Sequence, residues 1–186
     1  TIGFQQDLDS GIDLILADST QIHQIVVNLC TNACHAMEET GGTLSISLKN
    51  RSFSSQALVN VPWIEPGKFV QLSIGDSGTG ITMEVQERMF DPYFTTKETG
   101  KGTGMGLAIV HGIVKNHGGF ILCQSEIGVG TVFQVNLPVL KEQSFSEPEG
   151  IDPISTGQEH ILLIDDESML VEMSRRMLER LGDDRY

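Results

Sequence analysis

Two asparagines four residues apart, Asn28 and Asn32, interrupt the largely apolar stretch NLCTNACHAM. On a helix, side chains at i and i+4 share a face. Burying an amide without a partner costs about 1–3 kcal/mol, so both need polar company. Neighbouring backbone could supply it. So could a ligand, because an amide oxygen is a reasonable Mg²⁺ ligand and Mg²⁺ usually bridges to substrate phosphates. A second group lies at DSGTGI, where Asp76 precedes Gly78 and Gly80. A carboxylate ending a strand can accept a hydrogen bond from an exocyclic amine such as adenine's; an Asp that opens a turn before Gly reads the same way. A third group is a run of four glycines in seven residues: Gly100, Gly102, Gly104 and Gly106. They precede an apolar helical stretch whose first N–H groups are unsatisfied and whose dipole favours an anion. A phosphate chain fits there, with Lys97 or Lys101 adding charge.

Two other phosphate-binding patterns are excluded. Lys101 is followed by Gly102, not Ser or Thr, so there is no Walker-type loop. GTGMG is GxGxG, not GxGxxG, and no strand directly precedes it. The span from Asp76 to Gly106 reads as a loop shaped around a nucleotide, with a long surface loop of ordinary turns as the alternative.

The elements that would position these groups follow from periodicity. Residues 2–8 and 12–17 read as short strands. In ADSTQIHQIVVNLCTNACHAMEETGG, Ile22, Ile25, Val26, Leu29, Ala33, Ala36 and Met37 recur at helical spacing. Asp18, Ser19 or Thr20 can cap that helix, and Gly41 and Gly42 end it. TLSISLK (43–49) and KFVQLSIG (68–75) alternate as strands, the second leading into Asp76. Residues 50–67, with Pro62 and Pro66, read as an irregular hairpin excursion. A short helix fits 82–89 and a longer one 104–117. GGFILCQSE and GTVFQVNLP read as paired strands with a turn at 128–130.

Bulk properties bound the class. The 186 residues are 39% hydrophobic and 20% charged, enough for one well-buried domain and part of another. The net charge of −13 argues against a nucleic-acid partner. Cys30, Cys34 and Cys123 form no CxxC pair; Cys30 and Cys34 read as small core residues of the first helix, and a reducing compartment fits. No apolar run is long enough to span a membrane. The opening TIGFQQDLDS lacks the regions of a signal peptide and reads as the interior of a longer protein. Residues 141–157, KEQSFSEPEGIDPISTG, have linker composition. Beyond them, HILLIDDESMLVEMSRRMLERLG reads as strand, acidic turn and helix.

In register, these pieces resemble one family. NLCTNACHAM resembles the N box of sensor histidine kinases, DSGTGI their G1 box, FDPYFTTK the F box and GKGTGMGLAIV the G2 box. GVGTVFQVNLP resembles the strand end of the same domain. Four boxes in order over residues 1–140 make the resemblance specific, and TTK after the F box is most similar to nitrogen-regulator-type kinases. The resemblance implies a Bergerat-type ATP-binding fold: a two-layer α/β sandwich whose mixed, mainly antiparallel sheet is covered on one face by helices. It implies that Asn32 holds Mg²⁺, that Asn28 assists at metal and phosphates, and that Asp76 binds the adenine amine. Gly78 and Gly80 would let the base approach, and Thr131 would contact adenine, often through water. Residues 95–106 would form a lid over the phosphates, bringing Lys97, Gly100, Gly102, Gly104, Met105 and Gly106, with the adjoining Leu107, to the nucleotide. Phe90 and Phe94 would anchor the base of the lid.

Hydrolysing relatives place a Glu four residues before the metal Asn. Here that residue is Asn28, a poor general base, which favours phosphoryl transfer to a protein histidine over hydrolysis. An ATPase or a nucleotide-switched binding module is the alternative. His23, His35, His111, His117 and His160 all lack the His-acid context of an acceptor; His111 and His117 read as surface or capping groups. The expected acceptor lies in a dimerisation domain outside this chain, and the full-length protein is expected to be a homodimer. The tail, residues 158–186, resembles the opening of a response-regulator receiver domain, with Asp165 and Asp166 as its Mg²⁺-binding acidic pair. A hybrid kinase in the cytoplasm follows as the expectation, its full-length form compatible with a membrane anchor.

Overall fold

Alternating stretches of the sequence become the five strands of one sheet. The computed structural model describes residues 1–59, 61–96 and 103–140. Lys97, Gly100, Lys101, Gly102, the 141–157 linker and the receiver-like tail with Asp165 and Asp166 lie outside them. The elements in chain order are β1 (Ile2–Leu8), α1 (Ser19–Ala36), β2 (Gly42–Phe53), β3 (Gly67–Asp76), α2 (Met83–Arg88), α3 (Gly106–Asn116), β4 (Phe120–Glu126) and β5 (Gly130–Pro138). The sheet order is β1-β2-β3-β5-β4. β1 runs parallel to β2, and the other pairs are antiparallel. The mixed, mainly antiparallel sheet matches the expectation.

The strand period of two assigns the faces. Register places Ile46, Ile74, Phe133 and Cys123 side by side, with Leu72, Val135 and Ile121 one step along. This face packs on Ile25 and Leu29 of α1 and on Val110, Ile113 and Val114 of α3, which form the main core. The opposite face carries polar side chains along most of its length. At one end Phe53, Phe69 and Phe120 pack edge-to-face, 5.2–5.6 Å apart, under Leu58 and Ile64 of the 54–66 excursion.

Three boundaries differ from the sequence reading. Residues 12–17 join no ladder. The β1–β2 pairing stops at Leu8 opposite Leu48, after which the chain leaves the sheet edge. The segment is held by single bonds instead: Asp13 N–H donates to Asn50 Oδ1 (3.1 Å) and Leu140 N–H to Leu14 C=O (2.8 Å). β2 continues to Phe53 because residues 50–53 pair with 67–70, which narrows the excursion to residues 54–66. Helix α3 starts at Gly106, not at 104, because Gly104 adopts φ +64°, outside the right-handed helical region.

Candidate functional site

Helix α1 is set by its ends. Asp18 caps it, its Oδ1 accepting from Thr20 N–H (2.7 Å) and Gln21 N–H (3.4 Å). His117, the C-cap residue of α3, ties the two helices together. Its Nδ1 lies 2.8 Å from Ile113 C=O, so that nitrogen carries the hydrogen, and Nε2 accepts from Asp18 N–H at 3.4 Å. With Ile25, Leu29 and Ala33 turned to the core, Asn28 and Asn32 fall one position off that row. Both are half-buried and open onto a cavity of about 680 Å³. Neither amide has a hydrogen-bond partner among the described residues. Gly106, the first residue of α3, stands so near that a methyl group there would lie 3.2 Å from Asn28 Oδ1. The α3 N-terminus has no side-chain cap of its own.

The other end of the cavity is built by strands. Asp76 closes β3 and stands between Leu44 of β2 and Thr131 of β5. Its Oδ1 accepts from Gly78 N–H at 2.9 Å. Burial pushes the carboxyl above the usual aspartate range, against the opposing pull of the Gly78 and Thr131 backbone. Thr131 is almost wholly buried, and its hydroxyl lies 2.8 Å from Ser125 Oγ on β4. The same burial, with the charge of Asp76 nearby, pushes the Cys123 thiol up to about 11.

The loop after Asp76 is held by the protein's own backbone. A side chain at Gly78 would meet Ala36 C=O at 2.5 Å, and Thr79 N–H donates to that carbonyl at 3.2 Å. Gly80, at φ +73°, lies against Glu126 C=O, where a Cβ has no room. These glycines let the loop fit between α1 and the β4–β5 turn, which is a reason for glycine independent of any ligand.

The F-box aromatics each pack on a neighbouring side chain. Phe90 stacks on His111 at 5.0 Å, and the Arg88 guanidinium sits 4.6 Å over the Phe94 ring. Tyr93, at φ +66°, donates its N–H to Gly104 C=O at 3.0 Å, so the chain is tied on both sides of residues 97–102.

Of the residues singled out in the sequence, Asn28, Asn32, Asp76, Gly80, Gly104, Gly106, Leu107 and Thr131 line one cavity. Gly78 is buried behind it, and Met105 is the N-cap residue of α3. Sequence reasoning missed Thr79, Thr82 and Ile127, which also line the cavity, and Ser125 behind it. Thr82 carried a signal, since it caps α2 by accepting from Val85 N–H. No group of three His, Cys, Asp or Glu able to hold a metal occurs among the described residues.

The cavity thus lies between the helical face of an open mixed sheet and two glycine-bearing loops. The family described as histidine kinase-, DNA gyrase B- and HSP90-like ATPase matches residues 17–141, and the chain belongs to it. Within that family its relatives are sensor histidine kinases. The sensor kinase CckA of Brucella abortus is 37% identical over 94% of this chain and 20% of its own length. The nucleotide-free catalytic domain of histidine kinase ThkA superposes with a TM-score of 0.56 at 32% identity, covering 74% of this chain and 79% of that domain. Full-length ShkA, solved with AMPPNP, gives a TM-score of 0.54 at 27% identity over 74% of this chain and 26% of its own. The chain thus spans about a fifth of its curated relative.

Proposed function

We propose that this chain binds Mg-ATP in the cavity and presents the γ-phosphoryl group to a histidine of a dimerisation domain. The observation that carries the reading is the meeting of Asn28, Asn32, Asp76 and Thr131 around one space of about 680 Å³. Asp76 accepts the base amine, and Thr131 faces the same end. Asn32 holds Mg²⁺ with Asn28 beside it, and Gly106 and Leu107 offer the backbone N–H groups of the α3 N-terminus to the phosphates, next to Gly104 and to Met105, whose own N–H goes to Thr103 Oγ1 at 3.3 Å. Lys97 is assigned a phosphate contact by resemblance alone. Among the described residues the two amide oxygens have no hydrogen-bond partner and no three-residue cluster of His, Cys, Asp or Glu occurs, a donor set that would suit an ion such as Mg²⁺ that is held chiefly through substrate phosphates. The ion supplies neutralisation of charge on the transferring group; the chain's own part is orientation. Asn28, standing where hydrolysing relatives place a Glu, leaves no general base at that position and favours transfer over hydrolysis. The partners in this reading are a dimerisation domain in a homodimer and a response-regulator receiver, in the cytoplasm. The CckA match covers 94% of the chain and so runs past residue 140, which supports a receiver opening at 158–186 with Asp165 and Asp166 as its acidic pair.

Calorimetric titration of the chain with Mg-ATP tests the reading. Binding is expected, with no steady ATP turnover, and label from γ-labelled ATP should reach an added dimerisation domain. A folded chain that binds no Mg-ATP, or one that turns over ATP at ordinary ATPase rates, sinks it. Asn32→Ala should weaken binding in Mg²⁺ by about tenfold, the worth of one charge-assisted contact, and change it little in EDTA.

A further inference from the structure

Ser125 makes three short contacts with one hydroxyl. Its Oγ lies 2.8 Å from Ile81 N, 3.0 Å from Gly130 O and 2.8 Å from Thr131 Oγ1. A hydroxyl has one hydrogen and two lone pairs. Ile81 N–H can only donate, so Ser125 accepts from it. Gly130 C=O can only accept, so it takes the Ser125 hydrogen. The one role left for Thr131 is to donate its own hydrogen to Ser125. That turns the Thr131 hydrogen away from the cavity and leaves its lone pairs for whatever binds there. Asp76, next to Thr131 across the β3–β5 ladder, is also an acceptor when ionised. Gln86 of α2 donates to Ile81 C=O at 2.9 Å while Ile81 N–H donates to Ser125 of β4, so both polar groups of Ile81 are held.

Resting on the nucleotide reading above, we infer that Ser125 is a positioning residue for base selection: it locks the Thr131 hydroxyl as an acceptor, so that Thr131 and Asp76 both present acceptors at the strand end of the cavity. A 6-amino purine offers that end an N–H. A 6-oxo purine turns a carbonyl oxygen toward a carboxylate and a lone pair. Without Ser125, the Thr131 hydroxyl is free to turn its hydrogen into the cavity, where it can donate to a 6-oxo group.

The test measures affinities of ADP and IDP by calorimetry on the whole chain. Ser125→Ala is expected to narrow the ADP-over-IDP preference by about tenfold, the worth of one net hydrogen bond. Ser125→Thr, which keeps the hydroxyl, should hold the wild-type ratio. In a Thr131→Val background, Ser125→Ala should leave the ratio where Thr131→Val alone puts it, because no hydroxyl remains to orient. Equal weakening of both nucleotides by Ser125→Ala, or a ratio change that persists in the Thr131→Val background, overturns the assignment. If Ser125→Ala does not fold, Thr131→Val alone decides: it should also narrow the ratio, and an unchanged ratio refutes the idea. Wild-type chain that binds neither nucleotide would remove the nucleotide reading itself, a result distinct from a wild-type preference that Ser125→Ala leaves intact.

Discussion

Replacing Asp76 by Asn removes one charge and almost no volume, and two opposite effects should follow. The half-buried carboxyl has its pKa raised, first by desolvation, with the Gly78 and Thr131 backbone pulling the other way. A raised folded pKa means the native state holds the proton more tightly than the unfolded chain. Stability therefore falls as pH rises from the ordinary aspartate value through the folded one, and the full penalty persists at neutral pH. Asn carries no such penalty, and its Oδ1 can still accept from Gly78 N–H. Asp76→Asn should accordingly melt higher than wild type at pH 7, with the gap closing as the buffer is brought below the ordinary aspartate range. Nucleotide binding should move the other way. With Oδ1 committed to Gly78, the Asn amide turns its NH₂ toward a base amine, and a charge-assisted bond worth about 1.5–3 kcal/mol becomes a donor–donor clash. That corresponds to about a 10- to 100-fold loss of ADP affinity. Calorimetry with ADP and thermal melts across pH read both arms. Undiminished affinity, or a variant less stable than wild type at pH 7, would refute the reasoning.

Gly80→Ala should destabilise the chain by more than about 1–3 kcal/mol, because a positive φ is strained for Ala and the Cβ also meets Glu126 C=O. Gly128→Ala shares a positive φ but faces open space, so in urea unfolding it should lose about 1 kcal/mol; equal losses would show that the close approach is unimportant. The Cys123 thiol, pushed up to about 11 by burial and Asp76, stays protonated at pH 8, whereas Cys34 is exposed. Iodoacetamide should label Cys34 first and Cys123 last, and peptide mapping that finds equal rates would contradict the burial argument.

Much of the candidate site was legible because the residues that line it stand out locally. Asn28 and Asn32 show as polar interruptions in an apolar helix. Asp76 shows because strand alternation runs straight into it, and Thr131 because the resemblance extends to the last strand. The helical face of the sheet was legible for the same reason: Leu44, Ile46, Leu72 and Ile74 alternate with polar neighbours. What the sequence concealed is set by pairing between distant strands. Whether residues 12–17 join a sheet depends on how far β1 stays beside β2, and whether 50–53 remain in a strand depends on Gly67 to Val70 lying opposite them. Ser125 was invisible for a related reason. A Ser in an edge strand is unremarkable until β4 aligns with β5 and brings it against Thr131 and Ile81.

The two ends of the cavity differ in hydrogen-bonding sense, and that difference is what would orient a nucleotide. At the strand end, Asp76 and Thr131 accept. At the helix end, the uncapped start of α3 offers backbone N–H groups with the positive end of a helix dipole. A molecule with an amine at one extremity and phosphates at the other fits one way round; reversed, it sets phosphate oxygens against a carboxylate and an amine against N–H donors. The amide pair Asn28 and Asn32 lies on α1 beside the donor end, as the contact of Gly106 with Asn28 requires. An amide can coordinate a metal through its oxygen and donate an N–H to a phosphate, so it would serve that junction where a carboxylate would repel the phosphates. On the proposed reading, this polarity is the reason Asp would suit position 76 and Asn positions 28 and 32. Asp76→Asn together with Asn32→Asp should therefore not restore binding, even though the net charge of the cavity is unchanged. Recovery of ADP affinity in that double variant would show that total charge, and not its placement, governs the site.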